Sequence, residues 1–285
     1  ERAMKIGIDS YCYHRYFGEV YDFQQDPGKR ITFDQFLKRA SELGVDVVSL
    51  ETCFFPENEK DFLKKIKDLL IENELDSVVA WGHPDGFEGG RKPEAVEDLK
   101  KHLKTCQELN SQVMRIVVSS LSFRHEPHGP QIEKVSKILK DVMPLFEDYG
   151  VKLAVENHFD FTSDELNEII ERVGSSYLGV TFDSGNALRI GENPIEAAGK
   201  LIDKIFATHI KDVAPLYGGN PADWYFFASV PAGEGIIDFP ALIQVFKDNR
   251  YQGSLTLEID YLDPKYGDED QAVAESIGYL RKITT

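Results

Sequence analysis

Short apolar runs that end in a polar side chain recur along the chain. Residues 152–156, 179–183, 205–209 and 254–258 form runs of this kind, and they end in Glu156, Asp183, His209 and Glu258. Each run is too short for a helix and is rich in β-branched or aromatic residues, which is typical of a buried strand. Four earlier runs of similar character lie at residues 5–9, 45–50, 76–81 and 112–119. The pattern therefore predicts eight strands, four of which carry a metal-capable side chain at their C-terminal end.

Amphipathic segments with helix-start and helix-stop signals separate these strands. Thr32 is a predicted N-cap for a helix that continues to Leu43 and stops at Gly44. The other predicted helices cover residues 57–73, 93–109, 131–149, a segment that opens at 162, 194–203, 238–249 and a closing segment from about 271.

Strands and helices alternate along the whole chain, and no linker-like segment divides it. Alternation of this kind predicts a parallel sheet. An open doubly wound sheet is disfavoured, because no G-x-G-x-x-G turn follows the first strand. Eight strand–helix units favour a sheet that closes into a barrel instead. We therefore predict an α/β fold in which residues 1–285 form a single (β/α)8 TIM barrel domain.

One connection, between about residues 213 and 237, is much longer than the others. It contains Tyr217 and the aromatic run 224–227. Long connections without structure of their own are uncommon in compact domains unless they have a function. We expect this loop to cover the pocket of the barrel.

Charge and cysteine content narrow the choice of partners. The net charge of −17 argues against nucleic acid, because phosphate binding favours a basic surface. No apolar run approaches the roughly 20 residues of a membrane span, so no membrane partner is expected. The three cysteines lack C-x-x-C spacing, which favours reduced thiols and a cytoplasmic location.

Three carboxylates and one imidazole at the mouth of a barrel predict a metal site. Like charges that lie close together raise each other's pKa, and a divalent cation removes that cost. A set of oxygen donors with one nitrogen suits Mn²⁺ or Mg²⁺ best, and Co²⁺, Fe²⁺ or Zn²⁺ are also admissible. The H-E-x-x-H pattern and Cys-rich zinc patterns do not occur in the sequence.

The four strand ends resemble those of the sugar phosphate isomerase/epimerase superfamily, the TIM barrels similar to xylose isomerase and endonuclease IV. The matching segments are Val-Glu-Asn-His at 155–158, Phe-Asp-Ser-Gly-Asn at 182–186, Thr-His-Ile-Lys-Asp at 208–212 and Leu-Glu-Ile-Asp at 257–260, with a glycine loop at 231–239. The resemblance covers essentially the whole chain. It implies that Glu156, Asp183, His209 and Glu258 are metal ligands, and that Glu156 and Glu258 also form the catalytic acid/base pair of the ketose 3-epimerase branch. Asn186 stands where those epimerases have a histidine, and the full zinc-ligand set of endonuclease IV is not matched.

Further polar residues near the strand ends are candidates for substrate binding. These are Glu51, His83, His158, Asn186 and Lys211. Asp212 is a candidate for orienting His209 from behind the metal site. Arg115 lies within a predicted strand, which suggests a structural role in pairing with a barrel carboxylate.

The leading functional hypothesis is a divalent-metal-dependent sugar isomerase or epimerase. Such an enzyme abstracts a proton next to a carbonyl and works through an enediolate. The alternative is a metal-dependent lyase or dehydratase that acts on a keto-sugar or polyol derivative. An endonuclease IV-like phosphodiesterase and a sugar-binding barrel without catalysis are the weaker alternatives. The expected partner is an unphosphorylated small-molecule sugar or polyol, and a homo-oligomer is compatible with the resemblance.

Overall fold

A computed structural model describes residues 4–56 and 59–285 and confirms the predicted (β/α)8 TIM barrel. The strands are β1 (Lys5–Asp9), β2 (Val47–Glu51), β3 (Asp76–Ala80), β4 (Val113–Ile116), β5 (Lys152–Glu156), β6 (Leu178–Asp183), β7 (Ile205–His209), β8 (Asp212–Pro215), β9 (Phe227–Val230) and β10 (Ser254–Leu257). The helices are α1 (Phe33–Leu43), α2 (Glu59–Glu72), α3 (Val96–Leu109), α4 (His128–Tyr149), α5 (Ser163–Val173), α6 (Ser184–Arg189), α7 (Pro194–Leu201), α8 (Phe239–Asp248) and α9 (Glu269–Thr284).

The sheet order is β10-β1-β2-β3-β4-β5-β6-β7, and every neighbouring pair is parallel. The two ends of the sheet meet where Ile210 N–H donates to the Thr256 carbonyl at 2.7 Å and Glu258 N–H donates to the Ile210 carbonyl at 3.0 Å. These bonds close the barrel. All eight strands therefore direct their C-terminal ends to one mouth, where barrels of this type place their chemistry.

Local signals in the sequence explain where several helices begin and end. Thr32 and Thr162 form capping boxes with Gln35 and Glu165, so two otherwise unpaired N–H groups are satisfied at each helix start. Gly44 ends α1 in the left-handed conformation, which glycine adopts without strain. For the second helix, the predicted start at residue 57 lies outside the described residues, and the described helix begins at Glu59.

The core lies inside the barrel and between the barrel and its helices. Its largest fully buried side chains include Phe36, Phe87, Phe146, Phe161 and Phe239. Burial of such a side chain stabilises the fold by roughly 1.5–3 kcal/mol. In the described parts of the chain, no helix has an apolar stretch long enough to cross a lipid bilayer.

Two of the differences from the sequence prediction concern strand β4 and the connection after β7. Strand β4 ends at Ile116 rather than at residue 119, because the Val118 carbonyl accepts the Gly89 N–H instead of a bond from a neighbouring strand. The long connection after β7 contains an antiparallel hairpin, in which β8 pairs with β9. Pro215 lies in β8 itself, at the end of the hairpin next to the connecting turn.

Candidate metal centre and substrate cavity

Four side chains from successive strand ends meet at the C-terminal mouth of the barrel. Glu156, Asp183 and His209 are the last residues of β5, β6 and β7, and Glu258 follows β10 directly. Each offers a ligand atom within 4.8 Å of the others, and all four side chains are buried. The structure thus brings together the four residues for which the sequence suggested a metal site.

The ring of His209 has a defined orientation in this cluster. Its Nδ1 lies 3.0 Å from Glu258 Oε2, 3.1 Å from Glu156 Oε1 and 3.8 Å from Asp183 Oδ2. Its Nε2 lies 3.2 Å from Asp9 Oδ2 on the other side. A carboxylate that holds the outer ring nitrogen in this way fixes the inner nitrogen as the one that faces a ligand. Asp9 is not among the site residues predicted from the sequence, although it ends the first strand as Glu156, Asp183 and His209 end theirs.

Asp212, the predicted partner of His209, points elsewhere. Its Oδ2 accepts the N–H groups of Gly233 and Gly235, both at 2.9 Å, and its Oδ1 accepts the Val213 N–H at 2.9 Å. The chain turns away from the cluster as it enters β8, and this turn carries the Asp212 side chain to the glycine loop. Asp9 contacts His209 in place of Asp212, and Asp212 instead anchors the loop that precedes α8.

The donor set fits a divalent cation. Asp183 Oδ2 and Glu258 Oε2 are buried and accept no hydrogen bond, although Lys211 Nζ lies 3.0 Å and 3.2 Å from them. Burial raises the pKa of Asp183 to about 8, so its ionised form is costly in these surroundings. A bound cation would remove that cost. Three hard carboxylate donors with one imidazole suit Mn²⁺ or Mg²⁺.

Lys211 lies among these carboxylates. Besides the two cluster residues, its Nζ contacts Asp260 Oδ2 at 3.1 Å and Asn186 Oδ1 at 3.3 Å. The aliphatic part of Lys211 passes over Gly185, where a Cβ atom would lie 2.7 Å from Lys211 Cδ. The glycine therefore leaves the space through which the lysine reaches the cluster.

Glu156 is held by residues behind the cluster. Arg115 Nε donates to its Oε2 at 2.5 Å, and Asn186 Nδ2 donates to its Oε1 at 3.3 Å. Burial alone would raise the pKa of Glu156, but Arg115 and His209 outweigh it and keep the pKa below its ordinary range. Arg115 also lies 3.6 Å from Glu51, so the predicted structural pairing of this arginine is confirmed.

A cavity of about 380 Å³ opens directly above the cluster. Of the predicted substrate-binding residues, Glu51, His83, His158 and Lys211 line it, and Glu258 lines it as well. Burial lowers the pKa of His158 to about 4, so its imidazole is neutral at pH 7. Asn186 is not among the lining residues and supports Glu156 from behind instead.

Aromatic side chains form one wall of the cavity. Trp224, from the connection between β8 and β9, packs edge-on against Tyr21 and Phe159 with ring centroids 5.5 Å and 5.8 Å away. The guanidinium of Arg189 lies 5.2 Å from the Phe159 ring and 5.4 Å from the Trp224 ring. The prediction that the long connection covers the pocket thus agrees with the position of Trp224.

Arg189 ties this wall to the site and was missed by the sequence analysis. It donates to the Phe227 carbonyl at 2.7 Å and forms a buried ion pair with both carboxylate oxygens of Asp260. Its position at the end of a short, unpredicted helix (α6) gave no signal that would distinguish it from a surface arginine.

A parallel barrel with a buried acid and histidine cluster at its C-terminal mouth defines a class of TIM-barrel proteins whose site could hold a metal ion. Residues 37–283 match the family model described as xylose isomerase-like TIM barrel. The chain belongs to that family.

Relatives and solved structures of several activities are similar to this chain. An inosose dehydratase from Clostridium beijerinckii is 24% identical, and the match covers 93% of this chain and 92% of the relative. A D-allulose 3-epimerase from a Methylomonas species superimposes with a TM-score of 0.75 at 14% identity, over 99% of both chains. A probable 3-DHS dehydratase from Bacillus anthracis superimposes with a TM-score of 0.71 at 14% identity, over 97% of this chain and 98% of that one.

Proposed function

We propose that this protein is a divalent-metal-dependent lyase that removes water from a small polyhydroxylated ketone, such as an inosose or a keto-sugar. The observation that carries the proposal is the unequal placement of the two catalytic candidates. Glu258 lines the cavity, whereas Glu156 is not among its lining residues. Both oxygens of Glu156 are already engaged, by Arg115 on one side and by Asn186 and His209 on the other. A two-carboxylate epimerase needs both acids at the substrate, but an elimination needs one base and one proton donor.

The cavity provides that pair. A divalent cation held by Glu156, Asp183, His209 and Glu258 would polarise the substrate carbonyl and acidify the neighbouring C–H bond. The Glu258 carboxylate takes the proton from that carbon. The electrons of the C–H bond form a C=C bond as the hydroxyl on the next carbon departs. Lys211, whose Nζ lies 3.2 Å from Glu258 Oε2 and faces the cavity, donates the proton with which the hydroxyl leaves as water.

The polarity of the cavity supports an uncharged, hydroxylated substrate. Its lining has more carboxylates than permanent cations, and the cations are Arg115 and Lys211. Both are already paired with carboxylates, which offset the positive charge that a phosphate group would need. The tyrosine hydroxyls and carboxylates that remain are suited to hydroxyl groups. These features support a small sugar-like or polyol-like molecule and give no support to nucleic acid.

The full-length relative named inosose dehydratase supports the same choice of chemistry. Epimerisation is the second candidate, because Glu156 and Glu258 belong to one cluster with ligand atoms within 4.8 Å of each other. A substrate that reached both acids would satisfy the two-base requirement.

One experiment separates the two candidates. The protein is incubated with Mn²⁺ in D₂O with a panel of inososes and ketoses, and the products are followed by NMR and mass spectrometry. We expect a product lighter by one water. A product that keeps all its oxygens, carries deuterium at the carbon next to the carbonyl and has inverted stereochemistry would instead assign an epimerase. If no panel member loses water or takes up deuterium, with metal shown to be bound, proton abstraction on this class of compounds is refuted.

A variant tests the proton donor separately. Lys211→Met keeps the length of the side chain but removes its N–H groups. We expect this variant to retain deuterium exchange next to the carbonyl and to lose most of the dehydration. Loss of exchange and dehydration in equal proportion, in a variant with an unchanged circular dichroism spectrum, would show that Lys211 is not the proton donor of the elimination.

A further inference from the structure

A second set of metal-capable side chains lies at the rim of the cavity. Glu19 follows β1, Cys53 lies in the short turn at Thr52–Phe54 after β2, and His83 follows β3. One ligand atom of each lies within 4.8 Å of the other two. These residues share no member with the cluster at the ends of β5, β6, β7 and β10. They come from the connections that follow three adjacent strands, β1, β2 and β3.

The contacts within this rim set place a carboxylate oxygen and a ring nitrogen face to face. Glu19 Oε2 lies 3.0 Å from His83 Nε2. The other oxygen, Oε1, accepts a hydrogen bond of 2.7 Å from the Tyr11 hydroxyl, which itself lies 2.6 Å from the Tyr21 hydroxyl. The tyrosines therefore orient Glu19 so that its Oε2 points towards His83. A cation bound here would replace the direct contact between Oε2 and Nε2.

The rim set is open to ions from solution. The side chains of Glu19 and His83 are each 25% exposed, and Cys53 is exposed. Glu19 and His83 also line the cavity, so an ion held between them would face its interior. The carboxylates of the cavity lining favour the approach of cations.

We propose that Glu19, Cys53 and His83 form a second metal site, selective for Zn²⁺ or a similar borderline-soft cation. A thiolate, an imidazole and a carboxylate are the donors that Zn²⁺ binds, whereas the buried cluster has no sulfur donor and suits harder ions. Three protein ligands leave a fourth tetrahedral position, which is the arrangement of zinc sites that bind an external ligand. Binding releases the thiol proton of Cys53 to the solvent.

The fourth position would face the cavity and could accept an oxygen of the substrate. That consequence rests on the proposed function. The binding of the ion does not depend on the proposed function, so ion binding is tested without substrate and without measuring activity.

Cobalt provides the test, because a Co²⁺–thiolate bond gives a charge-transfer absorption band in the near ultraviolet. Metal-free protein is titrated with Co²⁺ while absorbance and bound metal are measured. We expect two bound ions per chain, with the thiolate band following one of them, and we expect Zn²⁺ to abolish the band. In Cys53→Ser the band should disappear and one ion should remain. Glu19→Gln and His83→Gln should each weaken the band-forming site by more than about 10-fold.

The remaining cysteines supply matched controls. Cys12 and Cys106 are buried, and Cys12→Ala and Cys106→Ala should both keep the band. A single bound ion without a thiolate band would overturn the proposal. A band that persists in Cys53→Ser would overturn it as well, because the sulfur donor would then be another residue.

Discussion

At the scale of single residues, Glu258 and Glu156 belong to the same cluster but differ in access to the cavity. Replacement of the base that faces the substrate removes the group that accepts the proton. We expect Glu258→Gln to lower turnover by at least about 100-fold, in keeping with the usual contribution of a general base. Steady-state kinetics with saturating Mn²⁺ measure the effect.

The control for this variant is Glu234→Gln, which makes the same chemical change at an exposed position of the glycine loop. It should leave turnover unchanged. Full activity of Glu258→Gln would rule out this residue as the base.

Asp9 offers a second prediction at this scale, because it holds the outer nitrogen of His209. Asp9→Asn keeps an oxygen that can accept the Tyr11 N–H bond now made by Asp9 Oδ1. It removes the charge that orients the imidazole. We expect the affinity of metal-free protein for Mn²⁺ to fall about 10–100-fold, the usual cost of losing such a contact. Calorimetric titration measures the affinity.

Asp212→Asn is the matched control, since the Asp212 carboxylate binds the glycine loop rather than His209. It should lower stability more than metal affinity. Equal Mn²⁺ affinities for Asp9→Asn and the unaltered protein would exclude the role given to Asp9.

The residues of the site differ in how far the sequence predicts them. Glu156, Asp183, His209 and Glu258 each end a recognisable strand, so the alternation of the fold was enough to bring them together. Contacts such as the pairing of Arg189 with Asp260 depend on the path of loops after the strands. Local sequence patterns do not encode that path, and the same limit explains why Asp212 was expected beside His209.

At the scale of elements, strands β8 and β9 pair with each other, and the connection between them carries aromatic side chains. Trp224 forms part of the cavity wall, whereas Tyr217 in the same connection is fully exposed. We expect Trp224→Ala to raise KM about 10-fold, because a buried aromatic contact contributes roughly 1–2 kcal/mol to binding. The effect on kcat should be smaller. Kinetics on the substrate found in the panel give both constants.

Tyr217→Ala is the control for Trp224→Ala and should change neither constant. An unchanged KM for Trp224→Ala would show that the connection between β8 and β9 does not contribute to substrate binding.

The pairing of β8 with β9 was not predicted, although the barrel strands were. Barrel strands are buried on both faces and form continuous apolar runs. The hairpin strands contain Pro215 and polar residues, and turn-forming residues such as Gly218, Gly219 and Asn220 lie between them. Their pairing depends on packing against the barrel, which composition alone does not reveal.

At the scale of the whole molecule, side-chain hydrogen bonds join the last helix, α9, to the first helix, α1. Asp270 in α9 accepts hydrogen bonds from Arg39 Nε in α1 at 2.8 Å and from the Tyr13 hydroxyl at 2.8 Å. Partial burial would raise the pKa of Asp270, but the bonds from Arg39 and Tyr13 outweigh it, and the pKa is lowered. Because the pKa is lower in the folded state than in the unfolded state, this stabilisation is fully present above the unfolded-state pKa. It disappears as the pH falls through the folded-state pKa.

Asp270→Asn should therefore reduce the free energy of unfolding by about 1 kcal/mol at pH 7, a modest value because the pair is partly exposed to solvent. The difference between the variant and the unaltered protein should shrink as the pH falls below about 4. Urea unfolding from pH 7 to pH 3.5 measures it. The exposed Asp148→Asn serves as the control, and a difference that stays constant with pH would exclude the carboxylate of Asp270 as its source.

The path of Lys211 over Gly185 has a consequence for the history of the family. A side chain at position 185 and a long side chain at position 211 compete for the same space, so the two positions cannot vary independently. An alignment of family members should show covariation, with residues larger than glycine at position 185 only where position 211 has lost its lysine. Family members with a larger residue at position 185 would lack the lysine ammonium group among the cluster carboxylates. The residues at positions 185 and 211 would then distinguish members of the family that catalyse different reactions.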